Sequence, residues 1–394
     1  MLHYIYWIFK LYLKLKFDLI TERKKMKNPL IELEKFGQSV WLDNISRDVL
    51  LKNELKMLVD NDGLKGVTSN PSIFQKAMGS GHAYDDQIKK ILTASPDITP
   101  GELFETLSVK DIQDAADVLK TVYDKTNGHD GFVSIEVSPD LAYDTQATID
   151  EAERLNSKVN RPNVMIKIPA TQEGLPAIRK MISKGVCINI TLIFSPTVYE
   201  QVVDAYISGL EDRMNKGESI KNISSVASFF ISRIDSAVDK QLEAKGNKDL
   251  QGKIAIANAK LVYRKAKELF SSERFKKLEK AGAKKQRLLW ASTSTKNPDY
   301  PDVLYVEELI GKDTINTLPP ATLNAYRDHG NPENRIETNL DEAEAQMKKI
   351  EELGINFETV TRKLTDEGVV LFADSFRDLI KAIEKKKSEV LQTV

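Results

Sequence analysis

One lysine interrupts the apolar run NVMIKIPAT, which covers residues 163–171. Lysine is almost never fully buried unless it is paired, so two interpretations of Lys167 are open. In one, the run is an edge strand and the ammonium group points to solvent. In the other, the strand is interior, and an amine that is removed from water loses its proton more easily and becomes a nucleophile. Which interpretation of Lys167 applies depends on the strands and helices that surround this run.

Composition narrows the classes of function. The chain has 394 residues, of which 41% are hydrophobic and 29% are charged, the balance of a soluble globular protein with a sizeable core. A formal net charge of -1 gives no indication of nucleic acid or of an acidic surface as a partner. The only cysteine is Cys187, so no internal disulfide can form, and a reducing, cytoplasmic location is expected. The scattered histidines make no metal-ligand spacing: His3, His82, His129 and His329.

The first 25 residues, MLHYIYWIFKLYLKLKFDLITERKK, differ from the rest of the chain because they are aromatic, aliphatic and basic. Their longest uncharged run, residues 1–9, is shorter than the roughly 20 apolar residues that cross a bilayer, and no small-residue cleavage site follows. The segment is either an amphipathic surface anchor or an upstream translation that the mature protein lacks. We favour the second interpretation, because an ordinary sequence opens at Met26, and we assign one domain to residues 26–394.

From Met26 onward, short apolar runs alternate with charged segments that have helical spacing. Eight strands that alternate with helices predict a parallel sheet made of βα units. The number eight favours a single closed (β/α)8 TIM-type barrel with helical insertions and C-terminal helices. An open doubly wound sheet is the alternative, but no Gly-rich dinucleotide motif follows any run. The eight runs are SVWLD (39–43), GVTSN (66–70), GFVSIEV (131–137), NVMIKI (163–168), CINITLIF (187–194), SSVASFF (224–230), RLLWAS (287–292) and TINTL (314–318).

Polar residues at the start of several charged segments predict where helices begin. Ser46, Ser195 and either Ser138 or Asp140 are of the residue types that cap helix N-termini. The segments predicted as helices include residues 138–159, 195–214, 340–354 and 365–387.

Polar side chains recur where the predicted strands end, and active sites of such barrels lie at the carboxyl ends of the strands. Glu136 lies between Ile135 and Val137, a setting as apolar as that of Lys167. An amine, acids and hydroxyl donors that converge in this way are expected at an active site. The residues concerned are Asp43, Thr68, Ser69, Asn70, Glu136, Lys167, Asn189, Thr191, Ser228, Arg233 and the run ASTSTK (291–296).

Several spaced motifs, in this order, resemble those of the transaldolase family. No single one is specific, but together they cover nearly all of the chain after Met26. The start WLDNISRDVL and the stretch from Trp290 to Leu323 resemble the longer bacterial form rather than the short aldolase-like relatives. The motifs are GVTSNPSIF (66–74), SIEVSPDLAYDT (134–145), VMIKIPAT (164–171), INITLIFS (188–195) and ASFFISRID (227–235).

The resemblance implies a Schiff-base transferase of the pentose phosphate pathway. Such an enzyme moves a dihydroxyacetone unit from sedoheptulose 7-phosphate to glyceraldehyde 3-phosphate and yields erythrose 4-phosphate and fructose 6-phosphate. It needs no metal or organic cofactor, because an imine on a lysine draws electrons from the carbon–carbon bond that breaks. Sugar phosphates are then the partners, with neither nucleic acid nor membrane, and a homodimer is one option for the assembly.

The resemblance also implies four catalytic residues. Lys167 matches the Schiff-base lysine, and Asp43 matches the carboxylate that handles the substrate hydroxyl proton during cleavage. Glu136 matches the group that activates a water for imine formation, and Thr191 matches its water-holding partner. Two carboxylates can divide this work if their surroundings set their pKa values apart.

Each of these residues has a structural interpretation as well. Asp43 can be a carboxylate at a helix start, Glu136 a salt-bridge partner at the barrel rim, and Thr191 a strand former. Thr68 and Asn70 precede a proline and can be turn residues. Their shared location at one end of the predicted barrel favours the functional interpretation.

The remaining candidates are implied in substrate binding. Asn70, Asn189 and Ser228 match positions that hold the ketose hydroxyls, and Thr68 is grouped with them. Phe230 fits an aromatic residue that lines the site near the catalytic water, and a plain core position is the alternative.

The phosphate contact is where the chain departs from its shorter relatives. Arg233 matches an arginine that grips the substrate phosphate, which suits its fork geometry; the alternative is an ion pair with Asp235 or a neighbouring helix. Shorter members carry a second arginine just after strand seven, where this chain reads ASTSTKNP. Lys296 is the expected substitute, with Ser292 and Ser294 nearby.

Three functions have to be separated at this stage. The first is the transaldolase, and the second is a related class I aldolase that releases free dihydroxyacetone or splits fructose 6-phosphate. Those aldolases are shorter and carry glutamine in place of Glu136 and tyrosine in place of Phe230, so both residues favour the transferase. The third is a barrel kept for partner binding, which has no need of a desolvated amine beside two carboxylates.

Overall fold

Eight parallel strands close into a barrel in the computed structural model, which describes residues 28–79 and 81–391. Each strand pairs with the next along the chain, and β8 pairs with β1. The predicted (β/α)8 barrel is confirmed, and the open sheet is excluded. The strands are β1 (Gln38–Asp43), β2 (Gly66–Thr68), β3 (Phe132–Glu136), β4 (Val164–Pro169), β5 (Ile188–Ile193), β6 (Ser225–Phe230), β7 (Arg287–Ala291) and β8 (Thr314–Leu318).

The strands are buried on both faces, because one face fills the barrel interior and helices cover the other. Every residue of β4, β5 and β6 is buried, as expected of parallel strands in α/β proteins. Packing between β1 and β2 is so close that a Cβ on Gly66 would lie 2.3 Å from Cδ2 of Trp41. Only glycine therefore fits at position 66.

The connections between strands contain the outer helices and the predicted insertions. Short 3-10 turns cover Leu33–Phe36 and Pro139–Leu141. The α-helices are α1 (Pro29–Glu32), α2 (Arg47–Leu51), α3 (Glu54–Asp62), α4 (Pro71–Gly79), α5 (Asp85–Ala94), α6 (Pro100–Lys125), α7 (Thr145–Val159), α8 (Gly174–Ser183), α9 (Pro196–Asn215), α10 (Ser232–Ala244), α11 (Ile254–Phe270), α12 (Glu273–Lys280), α13 (Leu304–Glu308), α14 (Pro320–His329), α15 (Leu340–Glu352) and α16 (Phe357–Leu391).

Two of the predicted helix caps are confirmed and one is wrong. Ser46 accepts a hydrogen bond from the backbone of α2, and Ser195 does the same for α9. The helix predicted from residue 138 begins later, at Thr145, where Asp144 accepts from the amide of Ala147. The difference arises because residues 139–141 form a separate 3-10 turn.

The last helix, α16, is longer than predicted and crosses the carboxyl end of the barrel. It begins at Phe357 rather than at residue 365, and it packs against β5, α4, α6 and α10. Helices on both sides of the barrel opening therefore hold it in place.

Two sequence predictions concern the N-terminal segment and a possible contact with a membrane. The segment 1–25 lies outside the described residues, so both of its interpretations stay open and the assignment of residues 26–394 to one domain stays a prediction. Within the described ranges, none of the helices combines the length and apolarity that crossing a membrane requires.

Candidate active site

A cavity of about 130 Å³ opens at the carboxyl ends of the strands, where barrel enzymes place their chemistry. Most of the predicted site residues lie on its wall, although they come from six strands that are distant in the sequence, β1, β2 and β4 to β7, or directly follow them. Those that line it are Asp43, Thr68, Asn70, Lys167, Thr191, Ser228, Phe230, Arg233, Ser292 and Lys296.

Lys167 lies on an interior strand, which excludes the edge-strand interpretation. Strand β4 pairs with β3 and β5, so that Lys167 is flanked by Glu136 on one side and Asn189 on the other. The lysine is only 5% exposed. Its Nζ donates a hydrogen bond to the backbone oxygen of Ser69 at 3.2 Å and lies 3.4 Å from Oε2 of Glu136.

Glu136 is a buried carboxylate with an incomplete set of partners. Its side chain is 7% exposed, and Oε2, although 3.4 Å from Nζ of Lys167, accepts no hydrogen bond from the described residues. Burial raises the pKa of Glu136, and the charge of Lys167 offsets this only in part. Such a carboxyl group is prepared to hold and release a proton.

Asp43 ends β1 and takes part in a chain of hydroxyl groups. Thr68 Oγ1 donates to Asp43 Oδ1 at 2.7 Å and is also 2.7 Å from Oγ1 of Thr317 on β8. Burial raises the pKa of Asp43, and the hydrogen bond from Thr68 and the charges of Lys167 and Lys296 counteract it incompletely. The site therefore holds two carboxyl groups whose pKa values burial raises.

Asn189 is the predicted site residue that supports others instead of lining the cavity. Its side chain is fully buried, with Nδ2 donating to Oγ of Ser134 at 3.0 Å and Oδ1 accepting from Oγ of Ser228 at 2.7 Å. Thr191, two residues further along β5, has a buried Oγ1 with no hydrogen-bond partner among the described residues. Oxygens without partners thus lie on both strands that flank Lys167.

The cationic end of the cavity contains Arg233 and Lys296. Arg233 follows β6 as the second residue of α10, and its guanidinium carbon lies 5.4 Å from the ring centre of Phe230. Burial lowers the pKa of Arg233. Lys296 donates to Oγ of Ser294 at 2.8 Å, and burial and then the charge of Arg233 lower its pKa. Neither cation has a salt bridge with a carboxylate among the described residues.

Ser292, which follows β7, adopts an unusual backbone conformation beside these cations. Its φ of 57° lies in the left-handed region, which non-glycine residues seldom adopt. Its hydroxyl lies 2.9 Å from that of Ser232 at the start of α10. The bond joins the loop that carries Lys296 to the helix that carries Arg233.

A second cavity, of about 480 Å³, lies on the other side of Glu136. The walls include Phe74, Phe104 and Phe376, whose rings meet edge to face with centroids 5.7 Å apart. Glu136 borders this larger cavity, whereas Lys167, Arg233 and Lys296 line the smaller one.

Three residues that line the cavity were not predicted from the sequence: Thr317, Pro319 and Phe372. Thr317 is the next-to-last residue of β8, and its hydroxyl lies 2.7 Å from that of Thr68. The rule that barrel chemistry lies at the carboxyl ends of strands indicates this residue once it is applied to strand eight as well. Phe372 is on α16, where its ring centre lies 5.5 Å from Nζ of Lys167. The run GVVLFADSF around it shows only ordinary helical spacing, so no local signal marks this residue.

Comparisons with known proteins agree with the geometry. The family described as Transaldolase/Fructose-6-phosphate aldolase matches residues 40–383. The chain is 46% identical to a protein named Transaldolase from Trichodesmium erythraeum, over 91% of this chain and 97% of that one. It is also 46% identical to Transaldolase 2 of Nostoc sp., over 91% and 97% of the two chains, and to Transaldolase 1 of Streptomyces avermitilis, over 93% and 97%.

Proposed function

Because the chain belongs to the transaldolase/fructose-6-phosphate aldolase family, we propose that it transfers a dihydroxyacetone unit from sedoheptulose 7-phosphate to glyceraldehyde 3-phosphate through a Schiff base on Lys167. The chain is an enzyme, a transferase of the transaldolase class. The proposed products are erythrose 4-phosphate and fructose 6-phosphate, as in the pentose phosphate pathway.

One observation carries the proposal: a buried lysine lies at the carboxyl end of an interior barrel strand, 3.4 Å from a buried carboxylate. The lone pair of the neutral amine attacks the ketose carbonyl carbon. Loss of one water then gives the imine, which accepts the electron pair of the bond between its α and β carbons as that bond breaks, while the β carbon loses its hydroxyl proton and leaves as an aldose. The resulting enamine attacks the aldehyde carbon of the acceptor, and addition of one water frees the new ketose and the lysine.

Two groups are proposed to move the protons. Glu136 and Thr191 lie on the strands that flank Lys167, and each has a buried oxygen that has no hydrogen-bond partner among the described residues. A water held between these oxygens supports the dehydration and hydration steps beside Nζ. Asp43, across the site on β1, takes the proton of the substrate hydroxyl during cleavage and returns it when the new bond forms.

Substrate binding is proposed to follow the charge distribution of the cavity. Arg233 and Lys296 lie at one end, have no carboxylate in salt-bridge contact among the described residues, and suit a dianionic phosphate. Asn70 and Ser228, held by Asn189, face the ketose hydroxyls. The presence of Glu136 and Phe230 favours transfer over release of free dihydroxyacetone.

The substrates, location, assembly and cofactor needs that we propose are those expected from the sequence. Sugar phosphates are the substrates, the location is cytoplasmic, and a homodimer is one option for the assembly. The reaction as written needs no metal or organic cofactor, because the lysine imine itself accepts the electron pair.

Borohydride trapping tests the proposal. The enzyme is incubated with fructose 6-phosphate and reduced, and peptide mass spectrometry is expected to locate a three-carbon adduct on Lys167. Lys260 is an internal control, since it is also buried and lies 3.1 Å from a carboxylate, Glu308, outside the site. Adding erythrose 4-phosphate before reduction discharges the adduct as sedoheptulose 7-phosphate if the enzyme is a transferase. Absence of an adduct, or an adduct on Lys260, would refute the mechanism.

A further inference from the structure

The helix that closes the barrel opening brings an aromatic ring against the reactive lysine. Phe372, on α16, is 7% exposed and lines the 130 Å³ cavity. Its ring centre lies 5.5 Å from Nζ of Lys167 and 6.0 Å from the guanidinium carbon of Arg233. The ring thus covers the space between the lysine and the cationic end of the cavity.

Close packing one turn earlier in the helix fixes this position. A Cβ on Gly368 would lie 2.8 Å from Cδ2 of Leu192, so the absence of a side chain lets α16 approach β5. Leu192 itself has a φ of 59° and sits at the irregularity in the pairing of β5 with β6. Residues four apart share a helix face, so the contact at Gly368 directs Phe372 into the site.

Anchors on both sides of Phe372 hold the helix across the opening. Tyr143 donates to Asp366 at 3.4 Å, and Ser72 donates to Ser375 at 2.8 Å. Farther along, Lys386 pairs with Asp85 at 2.8 Å. The covering ring is therefore part of a fastened element, and its position does not depend on one contact.

The proposed reaction gives this covering ring a chemical consequence. The enamine on Lys167 has two fates. It can attack the acceptor aldehyde, so that a carbon–carbon bond forms and the aldehyde oxygen takes up a proton. Alternatively, its carbon takes a proton from solvent, and one water then adds to the imine and releases free dihydroxyacetone and the amine. The second fate converts a transferase into an aldolase.

We propose that Phe372 sets the ratio of these two fates by excluding water from the enamine on Lys167. The ring has no proton to give, and it occupies the space from which solvent would reach the enamine carbon. Glu136 borders the larger cavity and keeps its own contact with Lys167, so shielding the enamine from the Phe372 side does not prevent turnover. This inference rests on the proposed function, since it needs the Lys167 adduct to exist.

The test compares Phe372→Ala and Phe372→Leu with the wild type and with Leu371→Ala. Leu371 is the adjacent residue of the same helix, is 52% exposed and lies outside the site. Two rates are measured from fructose 6-phosphate: release of dihydroxyacetone without acceptor, and transfer to erythrose 4-phosphate. The ratio of release to transfer is expected to rise about tenfold in Phe372→Ala, to stay near the wild-type value in Phe372→Leu, and to be unchanged in Leu371→Ala.

Deuterium supplies a second readout that a merely structural role would not change. In D2O the released dihydroxyacetone is expected to carry one solvent deuterium on carbon, at a higher initial rate in Phe372→Ala. If that variant fails to fold, Phe372→Val replaces it, and its ratio is expected to exceed that of Phe372→Leu, whose larger side chain fills more of the space.

The outcomes separate this inference from the proposed function. An unchanged ratio in a folded Phe372→Ala enzyme that still forms the Lys167 adduct overturns the role of Phe372 alone. An equal rise in Leu371→Ala does so as well. Failure of the wild type to form the adduct on Lys167 overturns the proposed function instead.

Discussion

Two buried ion pairs lie at opposite ends of the barrel, and they are built differently. At the amino end, Arg287 contacts Asp130 at 2.8 Å, and the two side chains are 5% and 4% exposed. At the carboxyl end, Lys167 lies 3.4 Å from Glu136, with exposures of 6% and 7%. Burial is nearly equal, so the difference between the pairs lies in their hydrogen bonds.

In the amino-end pair, both carboxylate oxygens of Asp130 accept hydrogen bonds. Asp130 accepts from Ser39 at 2.7 Å and from the indole of Trp41 at 3.0 Å, and Arg287 also donates to the backbone of His129. Burial opposes the ionisation of Asp130, but Arg287 and these donors outweigh it and lower its pKa. Burial dominates at Glu136 and raises its pKa. The same barrel therefore holds one pair that favours a fixed charge and one that favours a mobile proton.

The largest expected effect breaks the carboxyl-end pair. Lys167→Ala should lower turnover by at least about 10⁴-fold, as removal of a covalent nucleophile does in other enzymes, and should abolish the trapped adduct. Lys167→Arg should be equally inactive, because a guanidinium is not deprotonated in proteins. Steady-state kinetics and circular dichroism measure activity and folding. Residual adduct on another lysine would contradict the assignment.

Breaking the amino-end pair should affect stability instead. Arg287→Ala leaves Asp130 buried without its cation and should lower the free energy of unfolding by about 3–5 kcal/mol. Turnover per folded molecule should not change. Arg161→Ala is the matched control, because Arg161 pairs with Asp117 on the surface and such pairs contribute only about 0–1 kcal/mol. Equal losses of stability in both variants, measured by denaturant unfolding, would remove the contrast between the barrel ends.

The next prediction separates the two carboxyl groups of the site. Glu136→Gln should slow imine formation and hydrolysis by about 10²-fold, the lower end of what a general acid or base contributes. Asp43→Asn should still form imine but fail at cleavage, so that unprocessed adduct accumulates. Single-turnover kinetics with quenching and mass spectrometry resolve these phases. If both variants slow both phases equally, the roles have been divided wrongly.

Much of this architecture could be predicted because the positions of the strands depend on residues that are close together in the sequence. The alternation of apolar runs placed all eight strands to within two residues at either end, and the rule that barrel chemistry lies at carboxyl ends grouped Asp43, Glu136 and Lys167. The amino-end pair could not be found in this way. Asp130 directly precedes one run, Arg287 begins another, and the two are 157 positions apart, so their contact depends on closure of the barrel.

Phe372 escaped prediction for a related reason. Its environment depends on where α16 crosses the barrel, and that depends on the bulge at Leu192 and the missing side chain at Gly368. Asn189 shows a different difficulty. Its residue type was consistent with direct substrate binding, but the structure uses both ends of its amide to hold Ser134 and Ser228.

A smaller effect is expected at the cationic end of the site. Lys296→Ala should weaken phosphorylated donors by about 1–3 kcal/mol, the value of one hydrogen bond to a charged group, and Arg233→Ala should weaken them more. Unphosphorylated dihydroxyacetone as donor is the control and should change little with either variant. Donor kinetics with and without phosphate give the comparison. An unchanged preference for phosphorylated donors in Lys296→Ala would make Lys296 a solvated loop residue.

The smallest effect compares the two barrel ends through the pH dependence of stability. Burial raises the pKa of Asp43 in the native state above the 3.8 expected in the unfolded state. Between the unfolded and the native pKa, the native state binds more protons than the unfolded state, so it loses stability as pH rises. Asp43→Asn should therefore gain about 1 kcal/mol of stability over the wild type near neutral pH, a common size for active-site replacements, and the gain should vanish on acidification below 3.8.

At the amino end of the barrel, the pKa of Asp130 is lowered, so the effect of its replacement on stability should have the opposite sign. Asp130→Asn loses stability near neutral pH, and the deficit shrinks as pH falls through the native pKa of Asp130. Denaturant unfolding of both variants across this range measures the two slopes, and slopes of the same sign would refute the proposed difference between the two ends.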